Sequence, residues 1–130
     1  MSYVGIVLVS HSVDLVRGLQ EILSQVQPQV PVAIAGGTDD GELGTSPFKI
    51  KEAIEFANSG KGVIVLFDLG SSLMNAEIAL DWLGENERVK IADAPLVEGA
   101  YAAVVESGCG SSLDQVLHVA QKVKTWQKIS

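Results

Sequence analysis

Four strand signals alternate with helix signals along these 130 residues. That alternation predicts an α/β domain of three layers, with a doubly wound and mainly parallel sheet between two layers of helices. The strand runs are short, continuous and rich in β-branched residues. Val4-Gly5-Ile6-Val7-Leu8-Val9 and Val63-Ile64-Val65-Leu66-Phe67 have the pattern of strands covered on both faces. Both runs end in polar residues that carry chemistry, Ser10-His11-Ser12 and Asp68-Leu69-Gly70-Ser71-Ser72. A strand order of 2-1-3-4 accounts for that placement. Strands one and three then flank the switch point where open α/β sheets bind ligands.

The elements follow in order. The first strand spans Tyr3 to Ser10, and Ser12 caps a helix with apolar positions Leu15, Leu19, Ile22, Leu23 and Val26. Pro28 blocks its continuation. Val30 to Ala35 forms strand two. The polar, glycine-rich segment from Gly36 to Thr45 is too long for a tight turn, and loops of that length in small domains are often functional. Ser46-Pro47 opens a second helix whose inner face is Ile50, Ala53, Ile54 and Ala57, and Gly60 ends it. Gly62 to Phe67 is strand three. Ser71 or Ser72 caps a third helix that runs through Leu83 to Gly84. Its apolar residues Leu73, Ala76, Ile78, Ala79, Leu80, Trp82 and Leu83 cover more than half of the helical circle, more than one sheet face can bury. Arg88 to Ala92 is a short fourth strand. Asp93-Ala94-Pro95 turns into a helix from Leu96 to Ser107, and Ser112 caps a last helix bearing Leu113, Val116, Leu117, Ala120 and Val123.

Residues 1–130 read as one domain, without internal repeat or linker, and a chain this long buries about two-thirds of its extended surface. The 47% hydrophobic content suits a packed globule. With 9 basic and 16 acidic residues the net charge is -7, which argues against nucleic acid or an anionic membrane as partner. No apolar run approaches the ~20 residues of a membrane helix, and the N-terminus reads as a strand, not a signal peptide. Cys109 is alone, so the expected setting is a reducing cytoplasm.

Parallel neighbours lie ~4.8 Å apart, so an imidazole and a carboxylate leaving strands one and three can touch. A histidine at a strand end is more often simply packed and hydrogen-bonded. His11 departs from that expectation because serines flank it and Asp68 lies opposite at the switch point. A carboxylate on one ring nitrogen fixes the tautomer and frees the other to attack phosphorus. Asp68 would orient the ring, while Gly70, Ser71 and Ser72 offer hydroxyls and helix-start amides to phosphoryl oxygens. Thr38, Thr45 and Ser46, on the long loop at the same end of the sheet, either line the site or touch a partner, or form a solvated turn. His118 has no acidic partner at local spacing and reads as a surface residue. Cys109 lacks a basic neighbour, and the two histidines and one cysteine give no metal-ligand spacing.

Five segments together resemble a known family. They are Val7 to Ser12, Ala35 to Asp40, Gly44-Thr45-Ser46, Asp68 to Glu77 and Ala94 to Gly99. Over essentially the whole chain they are similar to the phosphotransfer subunits of dihydroxyacetone kinases that depend on the phosphotransferase system, whose fold is that of the mannose-type enzyme IIA. The resemblance implies a relay. The phosphocarrier HPr gives a phosphoryl group to His11, which passes it to ADP on the nucleotide-binding subunit of the kinase. It also implies a homodimer and no cofactor on this chain, with ADP and Mg on the partner subunit. Thr38, Thr45, Met74 and Asn75 would form the site rim. Some members carry further phosphocarrier domains, and for this chain those functions are expected on separate proteins. Gly70-Ser71-Ser72-Leu73 lacks the proline usual at this point in mannose-type sugar transporters, which favours the kinase branch.

Three other readings stand beside it: a sugar-transporter enzyme IIA, a receiver domain phosphorylated on Asp68, and a non-catalytic module binding a small anion. Receivers carry acidic residues after strand one, where this chain has Ser10 and His11.

Overall fold

The structure, a computed structural model, describes residues 2–85 and 88–129. Its elements are β1 (Gly5–Ser10), α1 (Val13–Val26), β2 (Val32–Gly36), α2 (Pro47–Ala57), β3 (Val63–Phe67), α3 (Ser72–Leu83), β4 (Val89–Ile91), α4 (Leu96–Gly108) and α5 (Leu113–Lys122), followed by a 3-10 turn, Val123–Thr125. The sheet order is β2-β1-β3-β4 and each pairing is parallel, as expected from the sequence. Strand alternation divides the core. Ile6, Leu8, Ile64 and Leu66 face α1, α4 and α5, while Val7, Val9, Val63 and Val65 face α2 and α3. Both sheet faces are thus covered, which is why β1 and β3 carry no polar alternation.

Three of the expected serine caps form. Ser12, Ser46 and Ser112 accept the amides of Leu15, Lys49 and Gln115 at 3.4, 3.2 and 3.2 Å. The other differences have local causes. Strand two begins at Val32 and not at Val30, because Pro31 has no N–H for a ladder; its carbonyl instead accepts the Ile6 amide at 2.9 Å. On α1 the buried line is Val16, Leu19 and Leu23, and Leu15 and Ile22 turn outward. The outer edge of β2 is closed by helix side chains. Gln20 Nε2 donates to the Val32 carbonyl at 2.8 Å, and Lys49 Nζ donates to that of Gly36 at 3.0 Å. No helix of the described residues is long and apolar enough to cross a membrane.

On α3 only Ser72, Ala76 and Ala79 are buried, so the broad apolar arc is not used up by the monomer. The C-terminal helix does not cover it, since α5 packs with α4 on the opposite face of the sheet.

Candidate functional site

Register places the site. Val9 pairs with Phe67 across β1 and β3, and the Asp68 amide continues the ladder to the Val9 carbonyl at 3.1 Å. His11 is the first residue past β1 and Asp68 the first past β3, so both leave the sheet at its carboxyl rim.

The Asp68 carboxylate is enclosed by donors. Oδ2 accepts the Ser10 hydroxyl at 2.9 Å and the His11 amide at 3.0 Å. Oδ1 accepts the Leu69 amide at 2.7 Å and the Ser72 hydroxyl at 3.0 Å. His11 Nδ1 lies 3.2 Å from Oδ1 and 3.3 Å from Oδ2. Partial burial pushes the Asp68 carboxyl up, but the amides of His11 and Leu69 and the hydroxyls of Ser10 and Ser72 outweigh it and lower it from the usual 3.8 to about 2. An ionised carboxylate only accepts, so Nδ1 carries the ring proton and Nε2 keeps its lone pair. The Ser71 hydroxyl reaches that nitrogen at 2.9 Å. With 31% of its side chain exposed, against 14% for Asp68, the imidazole presents Nε2 outward while its partner stays inside. This is an oriented nucleophile of the kind that attacks phosphorus or carbonyl carbon.

The serines at the start of α3 serve the site and not the helix. Ser71 is the N-cap residue but makes no side-chain cap; both hydroxyls turn to His11 and Asp68, the stronger acceptors. The amides of Ser72 and Leu73 are taken by the Leu69 and Gly70 carbonyls at 2.9 and 3.1 Å. Of the helix-start amides, those of Gly70 and Ser71 have no acceptor among the described residues.

The rim residues divide. Asn75 Nδ2 donates to Thr45 Oγ1 at 2.7 Å, which ties the long loop to α3 beside the site. The Gly44 amide donates to the His11 carbonyl at 2.9 Å and fastens the same loop to the histidine. Met74 is largely exposed one turn into α3. Thr38 makes its polar contacts inside the loop, accepting the Glu42 amide on its hydroxyl at 3.1 Å, and none with His11. His118 and Cys109 are exposed and apart from this cluster. Sequence reading passed over Ser10 as a functional residue. Its signal was its place as the sole polar side chain of an otherwise apolar strand.

A groove of about 560 Å³ lies elsewhere, along the β2 edge between α1 and α2, lined by Val13, Gln20, Val32, Ile34, Lys49 and Phe56 among others. Its lining includes no histidine, cysteine, serine or threonine. His11 is not among the residues that line this groove, and 31% of its side chain is exposed.

Comparison with known proteins bears on the family and the fold. Residues 5–117 match the EIIA-man family, described as the PTS system fructose IIA component. A phosphoryl donor subunit DhaM of PEP-dependent dihydroxyacetone kinase 2 from Listeria innocua serovar 6a is 40% identical over 117 residues, covering 88% of this chain and 94% of that protein. A second DhaM, from Providencia stuartii, is 39% identical over 125 residues; there the match takes in 92% of this chain but 26% of the relative, so the chain spans about a quarter of that protein's length. Among solved structures, a protein of unknown function, EF1359, superposes with a TM-score of 0.84 at 37% identity, over 98% of this chain and 100% of its own. The chain belongs to the EIIA-man family and groups there with the DhaM phosphoryl donor subunits of dihydroxyacetone kinase.

Proposed function

We propose that this protein is a phosphoryl carrier that takes phosphate from phospho-HPr onto His11 and passes it to ADP held by the nucleotide-binding subunit of a dihydroxyacetone kinase. The observation that carries the reading is the pair of contacts on the imidazole. Asp68 lies 3.2 Å from Nδ1, and Nε2 faces the rim with only a serine hydroxyl on it. In the first transfer the Nε2 lone pair forms a bond to phosphorus as the donor's P–N bond breaks. Asp68 balances the positive charge that spreads onto Nδ1–H. In the second, a terminal oxygen of ADP attacks phosphorus in line and the Nε2–P bond breaks. Ser71 would turn its hydroxyl from Nε2 to a phosphoryl oxygen, and the free Gly70 and Ser71 amides would add two donors at the positive end of α3. Ser72 is committed to Asp68 and acts by steadying it. ADP and its Mg belong to the partner subunit in this scheme. Thr45, Met74 and Asn75 would border the docking surface, and Thr38 would shape the loop behind them.

The test incubates the protein with phospho-HPr. An acid-labile, alkali-stable label is expected, absent in His11→Ala and retained in His118→Ala; label surviving in His11→Ala would reject the assignment. The isolated phosphoprotein is then mixed with the ADP-loaded kinase subunit and, separately, with a transporter enzyme IIB domain. Phosphate is expected to move only to ADP. Transfer to the IIB domain alone would make the chain a sugar-transport component, the use that the family description itself names.

A further inference from the structure

We propose that Ser10 is a positioning residue of this site, a buried hydroxyl that fixes the direction of the Asp68 carboxylate and through it the tautomer of His11. The inference rests on the phosphohistidine reading for its meaning but not for its test.

Ser10 is the last residue of β1 and has no exposed surface. A hydroxyl so placed must find its partners within the protein. Its oxygen accepts the Ser12 amide at 3.0 Å, and Asp68 Oδ2 stands 2.9 Å away. An amide can only donate and a carboxylate can only accept, so the hydroxyl proton has one direction, toward Asp68. Ser10 therefore links the residue that caps α1 to the residue that follows β3. Four donors besides the imidazole hold the carboxylate: the amides of His11 and Leu69 and the hydroxyls of Ser10 and Ser72. Both amides belong to the backbone. Ser72 also lies 3.4 Å from His11 Nδ1, so its removal would disturb the imidazole directly. Ser10 makes no bond to the ring; it acts on His11 through Asp68 and, by accepting the Ser12 amide, through the turn that carries the histidine.

Without that hydroxyl Oδ2 keeps the His11 amide alone on its inner side, and the Ser12 amide loses its acceptor. The carboxylate then rests on three donors instead of four, so its rotation about the Cβ–Cγ bond widens and the Nδ1–H···O contact that selects the tautomer is held less closely. A donor to a charged group is among the stronger protein hydrogen bonds, and its loss corresponds to a rate change of about tenfold.

The experiment uses the full chain and nitrogen-15 NMR of the His11 ring at alkaline pH, where the imidazole is neutral. Wild type should show the Nδ1–H tautomer. Ser10→Ala should show a mixture of tautomers, a higher Asp68 carboxyl titration midpoint and a roughly tenfold slower single-turnover uptake from phospho-HPr at unchanged donor affinity. Ser10→Thr, which keeps the hydroxyl, should restore the Nδ1–H form. Should Ser10→Ala not fold, Ser10→Cys keeps the volume with only a weak donor and serves the same comparison. A folded Ser10→Ala or Ser10→Cys protein that keeps the wild-type tautomer overturns the proposal, as does a mixed tautomer in Ser10→Thr. Failure of wild type to take up phosphate would reject the phosphohistidine reading instead, while the tautomer comparison would still decide the role of Ser10.

Discussion

The carboxylate of Asp68 is the residue on which the site's charge turns. Its folded carboxyl is depressed to about 2, below the usual 3.8. A depressed acid stabilises the folded state above its unfolded value, and that stabilisation is lost as pH falls through the folded one. Asp68→Asn should therefore be less stable than wild type from neutral pH down to about 4. The amide nitrogen of the mutant must face donors that suit only an acceptor, at a cost of about 1–3 kcal/mol. Urea titrations at several pH values should show the gap closing between pH 4 and pH 2, where the wild-type carboxyl also gains a proton. A gap unchanged across that window would mean that these donors do not hold the charge. At neutral pH the mutant should fold but take up phosphate about a hundredfold more slowly, since the ring loses the charge that supports it. His11 and Asp68 were legible in sequence because each is the first side chain past an apolar strand with the chemistry to use a rim. The hydroxyls were less so. Whether Ser71 and Ser72 cap a helix or serve the site depends on the His11 ring reaching Ser71 from β1 and on Asp68 turning its carboxylate to Ser72, the first a fact of tertiary structure. The same holds for Ser10, whose burial comes from elements packed around it.

Among the elements, strands and helices followed from periodicity, and their faces followed less well. The 3.6-residue repeat of α1 offers Leu15 and Ile22 to the core as readily as Val16, and only the packing of that helix against β2 chooses. Gly36, at the end of β2, shows how close that packing is. A Cβ built there would lie 2.5 Å from the Val13 Cα and 2.8 Å from Val16 Cγ2. Val13 opens α1 two residues after His11, so a side chain at position 36 would push the first turn of the helix and the histidine with it. Gly36→Ala should lower unfolding stability by about 1–3 kcal/mol, the usual cost of overpacking. Its phosphate uptake should fall even at temperatures where the fold is intact. Denaturant midpoints and single-turnover rates measured together check both, and a mutant with wild-type stability would mean that α1 is less tightly seated than the contact implies.

At the level of the whole molecule, the monomer leaves α3 incompletely covered. Met74, Ile78 and Trp82 recur every four residues and share one stripe of the helix. Met74 is 70% exposed and Trp82 47%, while Phe48 of α2, 58% exposed, sets its ring 4.9 Å from that of Trp82. Two neighbouring aromatics at the surface are the composition of an interface core, not of a solvated helix face. Since α5 lies across the sheet, a second copy of the chain is the simplest cover, joined at the Trp82 end of the stripe. Met74, at the other end, would then stay open beside His11 for the phosphoryl partners. Each copy carries a net charge of -7, so like charges oppose the pairing and salt should strengthen it. Light scattering at micromolar concentration should give twice the mass of the chain, with the dimer fraction rising with ionic strength. Trp82→Asp should return the protein to monomer while its far-ultraviolet circular dichroism stays that of wild type, because the indole lies outside both core clusters. A monomeric wild type under these conditions would reject the dimer, and a dimeric Trp82→Asp protein would move the contact to another face.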